Sequence, residues 1–189
     1  MHALAIYASI CQDAGLVPIV EPEVLMDGSH NLKRCYDVTE KTLQVLFEQL
    51  DKQNVDLQAI ILKPNMILPG LSSSRHVSVD TVAEATVTCL FKSVPETVPG
   101  IAFLSGGQSP EMATAHLNCM HLKYEAKLPW ALTFSFARAI QKPCLEKWRG
   151  KDENVAAAQE LLRERACLDN MARRGAYKAE MEEAFSSKL

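Results

Sequence analysis

Residues 57–65 read Leu57-Gln58-Ala59-Ile60-Ile61-Leu62-Lys63-Pro64-Asn65. The stretch before the lysine is almost continuously apolar, without the alternation of apolar and polar residues that marks a strand with one face in water. It therefore predicts a strand that is buried on both faces, as in a parallel sheet. Lys63 follows the apolar stretch directly, so its side chain is expected at the carboxyl end of that strand.

Three further apolar runs of the same kind surround this one, and helical patterns separate them. The predicted strands cover residues 16–20, 57–62, 101–104 and 130–134. Helices are predicted over residues 4–13, 39–50, 79–91, 109–121 and 153–173. Strands that alternate with helices in this way are typical of an α/β fold.

Polar residues follow these strands at regular intervals. Glu21, Lys63 and Ser105 each follow an apolar run and are 42 residues apart, and Arg138 comes 33 residues later. Repeated βα units that deliver one polar group at each strand end favour a (β/α)₈ TIM barrel, in which active sites lie at that end. A doubly wound sheet is the alternative, but Gly15 precedes the first strand instead of forming a nucleotide loop after it.

Only four βα units are visible, so we expect a C-terminal half-barrel with an additional C-terminal helix. Residues 1–175 would form this unit, and residues 176–189 a mobile tail. The tail ends in Ser187-Lys188-Leu189, a peroxisomal address when it stands at a free C-terminus, although so short a motif also arises by accident.

Composition excludes several classes of partner. The chain has 189 residues, a formal net charge of -3 and six cysteines. No basic field favours nucleic acid or anionic lipid, and no apolar run approaches the length of a membrane span. Met1 opens no signal-peptide pattern, and the cysteines form no Cys-x-x-Cys pair, so we expect reduced thiols.

Lys63 is the strongest candidate for chemistry. An amine held beside apolar residues is disfavoured in its charged form, and a neutral amine is nucleophilic. Glu21, with Glu23 two residues on, would supply the acid–base group that Schiff-base formation requires. The alternatives remain that Lys63 is a solvated lysine at a strand end and that the two glutamates are solvated loop acids.

A second candidate site is the turn Ser105-Gly106-Gly107-Gln108-Ser109, which precedes a predicted helix. Glycines let backbone N–H groups approach an anion, and a helix N-terminus favours negative charge. Arg138 would pair with a phosphate. A Gly-Gly turn can also be only a turn. The histidines show no metal-ligand spacing, and His116 and His121 do not share a helical face, so no metal or other cofactor is expected.

Four segments resemble class I fructose-bisphosphate aldolases, and together with a fifth, Ala156–Glu160, they extend the likeness from about Ala8 to Ala172. They are the lysine segment quoted above, Val20-Glu21-Pro22-Glu23-Val24-Leu25, Phe103-Leu104-Ser105-Gly106-Gly107-Gln108-Ser109, and Trp130-Ala131-Leu132-Thr133-Phe134-Ser135. The chain is thus similar to the C-terminal half of that family. One departure is Ala137, where the family prefers glycine before the arginine.

The resemblance implies a metal-independent lyase of glycolysis and gluconeogenesis. The family cleaves fructose 1,6-bisphosphate reversibly to dihydroxyacetone phosphate and glyceraldehyde 3-phosphate. By resemblance, Lys63 forms the Schiff base, Glu21 and Glu23 assist proton transfer, and phosphate binds at Ser105, Gly106, Ser135 and Arg138. A phosphorylated sugar, a homotetramer and a cytoplasmic location are implied as well. The alternative is a catalytically impaired partial relative that acts as an interaction or structural module, and little activity is expected of this chain alone.

Overall fold

The computed structural model describes residues 1–74 and 76–186. Helices and strands alternate, as the sequence predicts. The four strands are β1 (Ile19–Val20), β2 (Ile61–Leu62), β3 (Gly100–Phe103) and β4 (Ala131–Phe134). The seven helices within the described ranges are α1 (His2–Asp13), α2 (Leu32–Lys52), α3 (Val79–Ser93), α4 (Pro110–Tyr124), α5 (Arg138–Trp148), α6 (Val155–Ala172) and α7 (Glu180–Ser186).

The strands form one parallel sheet in the order β1-β2-β3-β4. Val20 pairs with Leu62, Leu62 with Ile101, and Ile101 with Leu132. The spatial order follows the chain order without reversal, whereas a doubly wound sheet reverses its strand order at a switch point. The α/β class and the half-barrel arrangement of four βα units are therefore confirmed.

The regular strands are shorter than the apolar runs that predict them. β1 contains only two residues of the predicted 16–20, partly because Pro18 has no N–H with which to extend a ladder. Leu57–Ala59 form a 3₁₀ turn instead of the start of β2, because the Asp56 side chain caps that turn by accepting the Gln58 N–H. Hydrophobicity thus predicted the existence of each strand correctly and its start less well.

Two helices depart from the predictions. α2 begins at Leu32 rather than near residue 39, because the Asn31 side chain accepts the N–H of Arg34 and caps an earlier start. α5 was not predicted at all, since it lacks a side-chain cap and contains Pro143. For α4, the predicted cap is confirmed, as Ser109 accepts the N–H of Met112 and Pro110 occupies the first turn.

Helices pack on one face of the sheet. Leu62, Ile101 and Phe103 point toward them and are fully buried, together with Leu43, Leu46 and Leu117 of the helices. The expectation that the strands are buried on both faces does not hold within the described residues, because the opposite face is partly open and Ile19 is 47% exposed. In a (β/α)₈ barrel that face is the interior.

Trp130 joins the start of β4 to the loop after α3. Its indole N–H donates to the carbonyl of Pro95 over 2.8 Å, and its ring lies 5.4 Å from that of Phe91. The side chain is 3% exposed, whereas Trp148, on α5, is 41% exposed. Trp130 therefore connects two neighbouring βα units through both an apolar ring and a satisfied polar group.

The predicted tail contains a helix. α7 covers Glu180–Ser186, and Glu182 on it forms an ion pair with Arg165 of α6 over 2.5 Å. The hydroxyl of Tyr177 donates to the same glutamate over 3.0 Å. Residues Ser187-Lys188-Leu189, which carry the predicted peroxisomal address, lie outside the described residues. None of the helices in the described part of the chain has both the length and the apolar character of a membrane span.

Candidate active site

The carboxyl ends of β1 and β2 bring Glu21 and Lys63 together. The ladder continues beyond the regular strands, because the N–H of Lys63 donates to the carbonyl of Val20 over 2.8 Å. Glu21 and Lys63 are therefore neighbours on adjacent strands, and their side chains form an ion pair, Nζ to Oε1 3.2 Å. The Lys63 side chain is 18% exposed, so most of it is buried.

Glu23, the second glutamate of the segment, is exposed. Of the ion pairs found among the described residues, the one that involves Lys63 is made by Glu21, not Glu23. The structure thus joins one of the two predicted acids to the lysine and leaves the other at the surface of the same loop.

Asn65 holds the loop that carries both glutamates. It is 1% exposed, and its Oδ1 accepts the backbone N–H of Val24 over 3.1 Å. Its amide nitrogen donates to Oγ1 of Thr39 over 3.0 Å and to the carbonyl of Met66 over 3.1 Å. The asparagine therefore connects the loop after β1 to both α2 and the end of β2. The local sequence around Asn65 gives no sign of this role.

Ser105, Gly106 and Gly107 form a tight turn between β3 and α4. Both glycines have positive φ, 59° and 78°, a conformation that glycine adopts without strain. A Cβ on Gly107 would also approach Cδ1 of Leu71 to 3.3 Å. The turn leads directly to the capped N-terminus of α4, so backbone N–H groups and the helix dipole favour an anion at the same place.

Arg138 lies at the first position of α5 and reaches this turn. One guanidinium nitrogen, Nη1, is 4.0 Å from the position that a Cβ on Gly107 would occupy. A cavity of ≈ 470 Å³ lies here between the two helix starts, lined by Gly107, Ser109, Arg138 and Lys142, with the acids Glu111 and Glu146 at its side.

Ser135 follows β4 and is half-buried, and its N–H donates to the carbonyl of Phe103 over 2.8 Å. Ala137 has φ −93°, a backbone conformation that alanine adopts without strain, so it is accommodated before Arg138. The four predicted phosphate-binding residues therefore follow two neighbouring strands on the same edge of the sheet as Glu21 and Lys63.

Sequence reasoning missed two polar side chains beside the turn. Gln108 donates through Nε2 to the carbonyl of Ser105 over 2.8 Å, and its Oε1 lies 2.5 Å from Nδ1 of His116. His116 is 2% exposed, and burial lowers its pKa to about 4. From the sequence, His116 was considered only as a metal ligand, since nothing in the local pattern shows which side chain it faces.

Among the described residues, no three histidine, cysteine, aspartate or glutamate side chains lie close enough together to hold a metal ion. The other buried histidine of α4, His121, contacts the carbonyl of Leu132 through Nε2 over 3.1 Å, and burial lowers its pKa. It therefore connects α4 to β4.

Comparison with known proteins identifies one family along the whole chain. A family model described as fructose-bisphosphate aldolase class-I matches residues 1–189. A probable class 1 fructose-bisphosphate aldolase of Xanthomonas axonopodis pv. citri is 51% identical over 178 residues, which are 94% of this chain and 53% of that protein. The cytoplasmic isozyme of Spinacia oleracea is 49% identical over 176 residues, 93% of this chain and 49% of its own length.

Among solved structures, the fructose-bisphosphate aldolase of Plasmodium falciparum, crystallised with TRAP and a small-molecule inhibitor, superposes with a TM-score of 0.90. It is 46% identical, and the match covers 94% of this chain and 51% of that one. The chain spans about half the length of the curated relatives it matches.

Proposed function

The chain belongs to the class I fructose-bisphosphate aldolase family, and we propose that it provides the Schiff-base site of a reversible aldol cleavage of fructose 1,6-bisphosphate. The products would be dihydroxyacetone phosphate and glyceraldehyde 3-phosphate. The observation that carries the proposal is the pair formed by Lys63 and Glu21, 3.2 Å apart at the carboxyl edge of the sheet.

In this proposal Glu21 first accepts a proton from the Lys63 ammonium, because a carboxylate at this distance is within reach of direct transfer. The neutral amine then adds to the ketone carbon of the sugar and forms a carbinolamine. Glu21 returns the proton to the carbinolamine hydroxyl, which leaves as water, and a C=N bond to Lys63 remains. Glu23 would assist proton transfer from the same loop.

We assign substrate phosphate binding to Ser105, Gly106, Ser135 and Arg138. The support is the positive φ of Gly106, the start of α4 directly after the turn, and the guanidinium of Arg138 beside Gly107. Backbone N–H groups and an arginine together suit the several acceptor oxygens of a phosphate. The chemistry needs no metal and no other cofactor, since the lysine itself supplies the electrophilic activation.

The assembly we propose is a homo-oligomer, a tetramer by family resemblance, in the cytoplasm. The spinach relative, which is named a cytoplasmic isozyme, supports that location. A peroxisomal location is the alternative suggested by the sequence Ser187-Lys188-Leu189. A fluorescent protein fused to this tail would enter peroxisomes if the address works, and removal of the three residues would return it to the cytosol.

A second candidate function is an interaction or structural module with impaired catalysis. One observation favours it: the inner face of the sheet is open at Ile19, which is 47% exposed. A module of this kind would keep the fold and lack the reaction.

Trapping with borohydride separates the two functions. Dihydroxyacetone phosphate and borohydride should leave a reduced adduct on Lys63, identified by mass spectrometry of the labelled peptide. Lys63→Ala should abolish the adduct, and Lys52→Ala, a change of an exposed lysine, should leave it intact. An adduct spread over surface lysines and unchanged in Lys63→Ala would reject the Schiff-base assignment and favour the module.

A further inference from the structure

A chain of hydrogen bonds connects a buried histidine of α4 to the turn that follows β3. The carbonyl of Ser105 accepts two bonds from Gln108, one from Nε2 over 2.8 Å and one from the backbone N–H over 3.1 Å. A carbonyl oxygen only accepts, so the amide nitrogen of Gln108 faces Ser105 and its Oε1 faces His116. His116 therefore donates through Nδ1, at 2.5 Å.

The state of His116 agrees with this assignment. Burial lowers its pKa to about 4, so the ring is neutral near pH 7 and carries one N–H. That N–H is on Nδ1, which leaves a lone pair on Nε2. Nε2 is buried and has no hydrogen-bond partner among the described residues, so a proton on Nε2 would have no acceptor.

Fixing the Ser105 carbonyl fixes the next N–H group as well. In a planar trans peptide the carbonyl of Ser105 and the N–H of Gly106 point in opposite directions. Within the described part of the chain, the backbone N–H groups of Gly106 and Gly107 donate to no protein acceptor. The hydrogen bonds from Gln108 thus turn an otherwise unused donor toward the side of the turn where an anion would bind.

We propose that His116 is a positioning residue that, through Gln108, holds the Ser105–Gly107 turn in the conformation that receives a substrate phosphate. The proposal rests on the function proposed above, because it concerns the phosphate of that substrate. His116 is buried and acts only through Gln108, so its effect falls on phosphate binding and spares the Lys63–Glu21 pair.

Two variants of the full protein separate positioning from general packing. His116→Leu fills the site with an apolar side chain of similar size and removes the donor. His116→Asn keeps an amide N–H near the place of Nδ1. Borohydride trapping at Lys63 is measured against the concentration of dihydroxyacetone phosphate and, separately, of dihydroxyacetone, which has no phosphate.

His116→Leu should raise the half-saturating concentration of dihydroxyacetone phosphate about 3- to 10-fold, the effect of one neutral hydrogen bond. The dependence on dihydroxyacetone should not change, and His116→Asn should restore the wild-type value. An unchanged response to the phosphate compound in His116→Leu, or an equal loss with both compounds, would overturn the positioning role.

Hydrogen exchange at the backbone N–H of Gln108 gives a readout that needs no activity, since this group donates to Ser105. Exchange should be faster in His116→Leu and unchanged in His116→Asn, and equal rates in all three proteins would refute the proposal. Failure of the proposed function looks different: the wild-type protein would then form no adduct at Lys63, whatever the exchange rates.

Discussion

Replacing Asn65 by alanine should destabilise the protein strongly, although the change removes only a few atoms. The side chain is 1% exposed and makes three hydrogen bonds, to Val24, Thr39 and Met66. Each such bond contributes about 1 kcal/mol net, and a buried group left without its partner costs about 1–3 kcal/mol. The Thr39 hydroxyl loses the donor Nδ2 of Asn65 but keeps its contact with the Cys35 sulfur, 3.9 Å away, so it is not left without a partner. We therefore expect a decrease of about 2–4 kcal/mol in the free energy of unfolding.

Urea unfolding followed by circular dichroism measures this decrease. For a protein of this size the midpoint should fall by about 1–2 M, because the slope with urea is about 2 kcal/mol per M. The matched control is Asn170→Ala, since Asn170 is half-buried on α6 and its side chain makes no hydrogen bond to the described residues. The control should change stability by less than about 0.5 kcal/mol.

A second readout locates the effect. The backbone N–H of Val24 loses its acceptor in Asn65→Ala, so its hydrogen exchange should accelerate more than that of the β3 strand. A loss of stability below about 1 kcal/mol, or unchanged exchange at Val24, would show that the asparagine does not hold the loop that carries Glu21.

Three further predictions concern catalysis and pH. Glu21→Gln removes the carboxylate 3.2 Å from Lys63 and should slow Schiff-base formation about 10²–10⁴-fold in rapid-quench trapping, and an unchanged rate would exclude it as the proton carrier. Burial raises the pKa of Asp169 from 3.8 to about 6. Between these two pH values the folded state binds more protons than the unfolded state, so the free energy of unfolding should fall as pH rises from about 4 to about 6. Asp169→Asn should flatten that part of the stability curve, and identical curves for both proteins would contradict the assignment. EDTA should leave any aldol cleavage intact, and activity that is abolished by EDTA and restored by zinc would refute the lysine mechanism.

The sequence predicted those parts of the fold that depend on interactions between residues close together in the chain. The apolar run before Lys63 indicated a strand, and Ser109-Pro110 indicated the start of α4, because burial and capping leave a pattern within a few residues. The bounds of β1 were harder to predict, because strand pairing depends on which residues of the apolar run present an N–H to a neighbouring strand. α5 escaped prediction because it begins without a capping side chain and contains Pro143.

The candidate site divides in the same way. The proximity of Lys63 and Glu21 was predictable because each follows a strand, and parallel strands end at a common edge. Asn65 forms a hydrogen bond with Val24, 41 residues away. Gln108, just before α4, forms one with His116, two turns into that helix. Such contacts are set by tertiary packing, so a single sequence shows the polar residues without showing which of them meet.

Because the two tryptophans differ in exposure, the intrinsic fluorescence of the chain should report unfolding. Trp130 is 3% exposed and bonded to Pro95, whereas Trp148 is 41% exposed and already in contact with water. On unfolding, the emission of Trp130 should shift to longer wavelength while that of Trp148 changes little. The change in fluorescence therefore follows the separation of β4 from the end of α3, and it does so without any added dye or label.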